Sequence, residues 1–223
     1  MVVAAVAPVV DRVVLVAGAT GLVGREVLAA LLADKATRHV HVVVRRPTGV
    51  RHVKLTEHRV ADLTALPVLP RLDEVYIALG TTIKLAGSQA AFRAVDFDAV
   101  MAVARAAYTC GATRLGVVSA MGADAGSRVF YNRTKGEVEQ ALATIGYRHL
   151  VIARPSLLAG DRTSVGQPRR PGEHIGLQLS RLLRGLIPAN YKPIAACRVA
   201  TCLVAAVRDG PPGQHVLLSG AMQ

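Results

Sequence analysis

With 223 residues, 52% of them apolar, the chain can bury one substantial core plus an appendage, and it is too hydrophobic to be disordered. The net charge of +12 comes from scattered basic residues. The densest groups, Arg45-Arg46 and Arg169-Arg170, lack interleaved aromatics, which argues against nucleic acid and leaves a basic surface that attracts an anionic cofactor or is merely solvated.

Residues 1–223 read as one domain, with a core over about 12–153 and a shorter substrate-side region over about 154–223. Residues 1–10 are apolar without a basic leader region and too short to span a membrane. They read as a frayed N-terminal extension, an unusual leader being the alternative, and no integral membrane segment is expected. Cys110, Cys197 and Cys202 show no paired metal-ligand spacing; no metal is expected, and three free thiols fit a cytoplasmic location.

The apolar run of residues 13–17 leads into Gly18, Thr20, Gly21, Leu22 and Gly24, followed by Val27, Leu28, Leu31 and Leu32 at helical spacing. This is strand, tight turn, helix. Gly18 lets the chain turn, Gly21 lets backbone approach a pyrophosphate, and Gly24 lets helix and strand pack closely. The positive end of the helix then faces the phosphates.

A second strand over residues 39–44 ends on Arg45 and Arg46, where a carboxylate would bind a ribose hydroxyl and arginine a 2'-phosphate. NADP(H) is therefore favoured over NAD(H); strand ends that are basic by chance are the plainer explanation. After a third strand near residues 57–60, Asp62 either accepts from the adenine amino group or caps a short following helix. A fourth strand over 75–79 runs into Gly80, Thr81 and Thr82, a small-residue loop of the kind that lines the ligand crevice of a parallel sheet. Residues 88–109 read as one long alanine-rich helix closed by Gly111, and Arg114–Val118 as a fifth strand ending at Ser119.

Tyr131 and Lys135 lie at i and i+4 of the next helix, on one face. A tyrosine hydroxyl, with an ordinary pKa near about 10, needs a neighbouring positive charge to act near neutrality, and Lys135 can supply it. Ser119 would hold the substrate oxygen while Tyr131 moves the proton. The same spacing also occurs on ordinary surface helices.

The order of these parts resembles the short-chain dehydrogenase/reductase superfamily, in particular its atypical, Tat-interacting-protein-like branch. The resemblance is carried by Leu79-Gly80-Thr81-Thr82 with Lys84, Val95-Asp96, Gly122-Ala123-Asp124, Lys135-Gly136-Glu137-Val138-Glu139, Arg154-Pro155-Ser156 and Arg170-Pro171-Gly172-Glu173. It implies a Rossmann-type doubly wound parallel α/β sheet and NADP(H)-dependent hydride transfer between carbonyl and alcohol. It also implies a Ser119, Tyr131 and Lys135 triad and a nicotinamide end lined by Arg154, Pro155 and Ser156 after a sixth strand over 147–153. Lys135 would hold the nicotinamide ribose as well as assist Tyr131. Where many superfamily members carry a relay asparagine, this chain has Asp96, which either holds water or is structural.

The tail offers a loop over 166–172, a helix over 175–186 that packs on the sheet or forms a dimer face, a helix over 199–207 and a strand over 215–218. A monomer or a homodimer is expected. Arg162, Arg169 and Arg170 point to an anionic small-molecule substrate or are solvated loop residues. Two other functions share the resemblance: a cofactor-loaded redox regulator acting through a protein partner, and a nucleotide-sugar epimerase or dehydratase, against which the short tail counts.

Overall fold

A computed structural model describes residues 11–159 and 188–223. The expected N-terminal extension, the 166–172 loop, the 175–186 helix and Arg162, Arg169 and Arg170 lie outside the described residues. The elements run β1 (Arg12–Ala17), α1 (Leu22–Ala33), β2 (Thr37–Val44), β3 (Leu55–Arg59), β4 (Glu74–Ile77), α2 (Ile83–Ala86), α3 (Gln89–Arg93), a π turn (Ala94–Asp98) and α4 (Ala99–Thr109). They continue with β5 (Arg114–Val118), α5 (Phe130–Ala143), β6 (His149–Arg154), β7 (Leu158–Ala159), β8 (Ile194–Ala195), α6 (Ala196–Asp209) and β9 (Gly213–Leu218).

Among the described residues, seven strands form one parallel sheet in the order β3-β2-β1-β4-β5-β6-β9, and β7 pairs with β8 separately. β1 is uninterruptedly apolar after Arg12 because both its faces are covered. Val14 and Val16 face α1 and α6 through Val27, Leu31, Val199 and Leu203, while Val13 and Leu15 face the opposite layer with Val103, Ala107, Val138 and Leu142. This is a doubly wound Rossmann-type α/β fold. Its strand order reverses between β1 and β4, so the loops at the carboxyl ends of those two strands form the crevice in which such sheets bind ligands.

Several boundaries differ from the sequence reading. The long helix over 88–109 is one run of α3, π turn and α4, N-capped by the Ser88 hydroxyl, which accepts from the Ala91 N–H at 3.1 Å. No helix follows Asp62. Its carboxylate instead closes a turn by accepting from the Thr64 N–H at 2.9 Å and the Thr64 hydroxyl at 2.7 Å, which holds Asp62 below its ordinary pKa. Arg12 opens β1 and is buried in an ion cluster with Glu74 and Asp34.

Candidate active site

The cradle is made by the first turn. Gly18 has φ +88°, and a Cβ there would sit 2.4 Å from the Ala78 carbonyl oxygen, so the turn passes directly over the end of β4. A Cβ at Gly24 would sit 2.0 Å from the Gly18 carbonyl oxygen, which keeps α1 against β1. Gly21 is the N-cap of α1 and supplies no side-chain acceptor, and the first turn of the helix carries no acidic residue. The N–H groups at this helix start are therefore available to an anion.

A cavity of about 220 Å³ opens beside this turn. Gly21 and Leu22 line it with Gly80, Thr81, Asp96, Ser119, Tyr131, Lys135, Pro155 and Ser156, so residues from the start of α1, the ends of β4, β5 and β6, the π turn and α5 converge. Lys135 Nζ lies 2.8 Å from Asp96 Oδ1, and the other Asp96 oxygen accepts the Thr81 N–H at 2.8 Å. Asp96 is fully buried in the π turn, where one carboxylate fixes both the lysine and the loop after β4.

The Tyr131 ring packs on Phe92 with centroids 5.5 Å apart, and its hydroxyl makes no hydrogen bond among the described residues. Ser119, buried at the end of β5, donates its hydroxyl to Glu139. Arg154 binds the same carboxylate, with Nε at 3.1 and 3.2 Å and Nη2 at 2.5 Å. Glu139 and Arg154 face a second cavity, also lined by Asp124, Gly136, Gln140 and Gln214.

The expected site residues thus divide. Gly21, Leu22, Gly80, Thr81, Ser119, Tyr131, Lys135, Pro155 and Ser156 share the cavity, and Gly18, Thr20 and Gly24 shape the turn beside it. Arg154 lines the second cavity, where its guanidinium pairs with Glu139. Thr82, beside the first cavity's loop, is the N-cap of α2 and accepts from the Leu85 N–H at 3.2 Å. The Ser156 hydroxyl is engaged with the Lys192 carbonyl and accepts from Ser219 at 2.9 Å. Arg45 and Arg46 stand exposed after β2 and are not part of the cavity wall. Glu139 has no role in the sequence reading, although its place four residues after Lys135 on the same helix was the available signal.

The residues present suit a dinucleotide: an anion-ready helix start, a glycine turn packed too closely on neighbouring backbone for a Cβ at Gly18 or Gly24, and a cavity with a tyrosine and a lysine. Among the described residues no group of three metal-ligating side chains occurs and no helix is long and apolar enough to cross a membrane.

A family model described as NAD(P)H-binding matches residues 18–181. The chain is 31% identical over 205 residues to the protein FMP52, mitochondrial, of Candida albicans, covering 88% of each chain. It is 32% identical over 218 residues to fmp52, mitochondrial, of Aspergillus fumigatus, covering 90% of this chain and 91% of that one. The mitochondrial names of these relatives overturn the cytoplasmic expectation. Three free thiols require only a reducing environment and do not single out one compartment.

Among solved structures, WbmF of Bordetella bronchiseptica in complex with NAD+ superposes with a TM-score of 0.70 at 18% identity, over 95% of this chain and 74% of that one. MoeE5 in complex with UDP-glucose and NAD gives 0.67 at 21% identity, over 92% and 74%. These likenesses speak to the fold.

Proposed function

The chain belongs to the NAD(P)H-binding family, in the atypical branch of the short-chain dehydrogenases/reductases, and we propose that it is an NADP(H)-dependent oxidoreductase interconverting a carbonyl and an alcohol. The observation that carries this reading is the shared cavity, where Tyr131, Lys135 and Ser119 meet the glycine turn. The turn and the start of α1 would hold the pyrophosphate, and Arg45 and Arg46 the 2'-phosphate. A bound nicotinamide would donate the hydride in carbonyl reduction and accept it in alcohol oxidation. Tyr131, with no competing hydrogen bond among the described residues, is the proton donor or acceptor at the substrate oxygen, and Lys135, held in place by Asp96, keeps a positive charge on the same helix face. The relatives' names support a mitochondrial setting.

Thermal stabilisation by NADPH, NADP+, NADH and NAD+ measured side by side tests the cofactor. A ligand at a hundredfold excess over Kd stabilises by about 2.7 kcal/mol, and the phosphorylated pair is expected to do so preferentially, with the preference lost in Arg45→Ala/Arg46→Ala. Equal stabilisation by NAD(H) would refute the arginine assignment, and no response to any of the four would sink the oxidoreductase reading. A carbonyl screen follows, in which Tyr131→Phe is expected to keep cofactor binding and to lose about 10²–10⁴-fold in turnover. Nucleotide-sugar epimerisation is the second reading, favoured by the likeness to MoeE5 with UDP-glucose and NAD; it predicts turnover without net NADPH consumption.

A further inference from the structure

Behind the cavity wall, Ser119 and Glu139 form a contact that the oxidoreductase reading does not use. Ser119 is 7% exposed and Glu139 5% exposed, and Glu139 is ion-paired with Arg154. A carboxylate in such a pair only accepts, and a guanidinium only donates. The hydrogen between Ser119 and Glu139 is therefore the serine's own.

We propose that Glu139, backed by Arg154, is a positioning residue that commits the Ser119 proton away from the cavity, so that Ser119 presents lone pairs and no donor to the ligand. Tyr131 is then the only donor of the two hydroxyls, and Ser119 is suited to a ligand hydroxyl and not to a carbonyl oxygen. The site is polarised toward the alcohol form of its substrate. That last consequence rests on the oxidoreductase reading; the direction of the hydrogen bond does not.

The test is an alkaline titration of the Tyr131 phenolate in the ligand-free full chain, isolated by subtracting the Tyr131→Phe spectrum. Burial pushes the Tyr76 and Tyr147 phenols well up, away from this titration. The charged groups around this face are Lys135 and Glu139 on α5, Asp96 on the π turn and Arg154 at the end of β6, with Arg93 and Glu137 paired at the surface. In Glu139→Gln the amide oxygen turns to Arg154, which can only donate, and the amide N–H faces Ser119. Ser119 then releases its hydrogen into the cavity it shares with Tyr131, where an added donor favours the phenolate.

The midpoint is expected to fall by about 0.5–1 pH unit, and by less than about a third of that when the same change is made in Ser119→Ala. Should Glu139→Gln fail to fold, Glu139→Asp keeps the charge, shortens the reach to Ser119 and is expected to lower the midpoint in the same Ser119-dependent way. An equal shift in both backgrounds, or none in either, overturns the assignment. A Ser119-dependent shift in a protein that no nicotinamide nucleotide stabilises would instead refute the oxidoreductase reading and leave the hydrogen-bond direction standing.

Discussion

The two ends of the sheet use buried charge for different purposes. At the amino ends of the strands Arg12, 2% exposed, reaches Glu74 at 2.9 and 2.8 Å and Asp34 at 2.5 Å, and the Tyr76 hydroxyl donates to Glu74 at 2.9 Å. Burial pulls the Arg12 pKa down, and Glu74, by charge and hydrogen bond, more than restores it. At the carboxyl ends, Lys135 with Asp96 and Arg154 with Glu139 are paired just as closely, but these pairs also fix Thr81 and Ser119 at a cavity. Charge pairing closes the fold at one end and aims side chains at the other.

The sharpest way to separate the two ends is Glu74→Ala, which leaves the Arg12 guanidinium buried with Asp34 as its remaining charged partner. It is expected to cost about 3–5 kcal/mol of stability by chemical denaturation while the increment from a bound nucleotide stays as in the wild type. A lost nucleotide response would mean that the two ends are coupled. Gly24→Ala acts on the other end. Its methyl meets the Gly18 carbonyl, so about 1–3 kcal/mol of stability is expected to go together with the thermal response to nucleotide. Retention of that response would show that the cradle tolerates displacement.

The smallest effect lies away from both ends, where His41 of β2 packs between His39 of the same strand and His58 of β3. His41 Nδ1 lies 3.0 Å from His58 Nε2, and burial, then His39 and His58, pull the His41 pKa from 6.5 to about 4. The folded state thus prefers neutral His41, and below about pH 6.5 the unfolded chain takes the proton first. Stability from this group is complete above that pH and falls as the pH drops toward about 4. His41→Gln should flatten this part of the Tm-against-pH curve, and an unchanged slope would show that the cluster contributes nothing measurable.

Much of this was readable from short stretches of chain. The apolar run before Gly18, the glycine spacing and the Tyr131–Lys135 interval depend only on strand and helix periodicity, while the doubly wound sheet and the Pro155–Ser156 part of the cavity wall followed from the family resemblance that the longer motifs carry. Contacts between distant stretches were not readable. The pairing of Arg12 could not be seen because Glu74, its partner, lies on a neighbouring strand, 62 positions away in sequence. Arg154 was placed at the nicotinamide end by the family resemblance, and its guanidinium pairs with Glu139 at a second cavity. Asp96 faces Lys135 only because the π turn brings it under the β4 loop, and Ser119 finds Glu139 only once α5 lies along β5 and β6. Periodicity and backbone sterics are local, so the sequence alone was enough for the elements and the cradle. Which acid holds which base, and which way a hydroxyl points, depends on desolvated pairing between distant segments and is settled only when the sheet and its helices have packed.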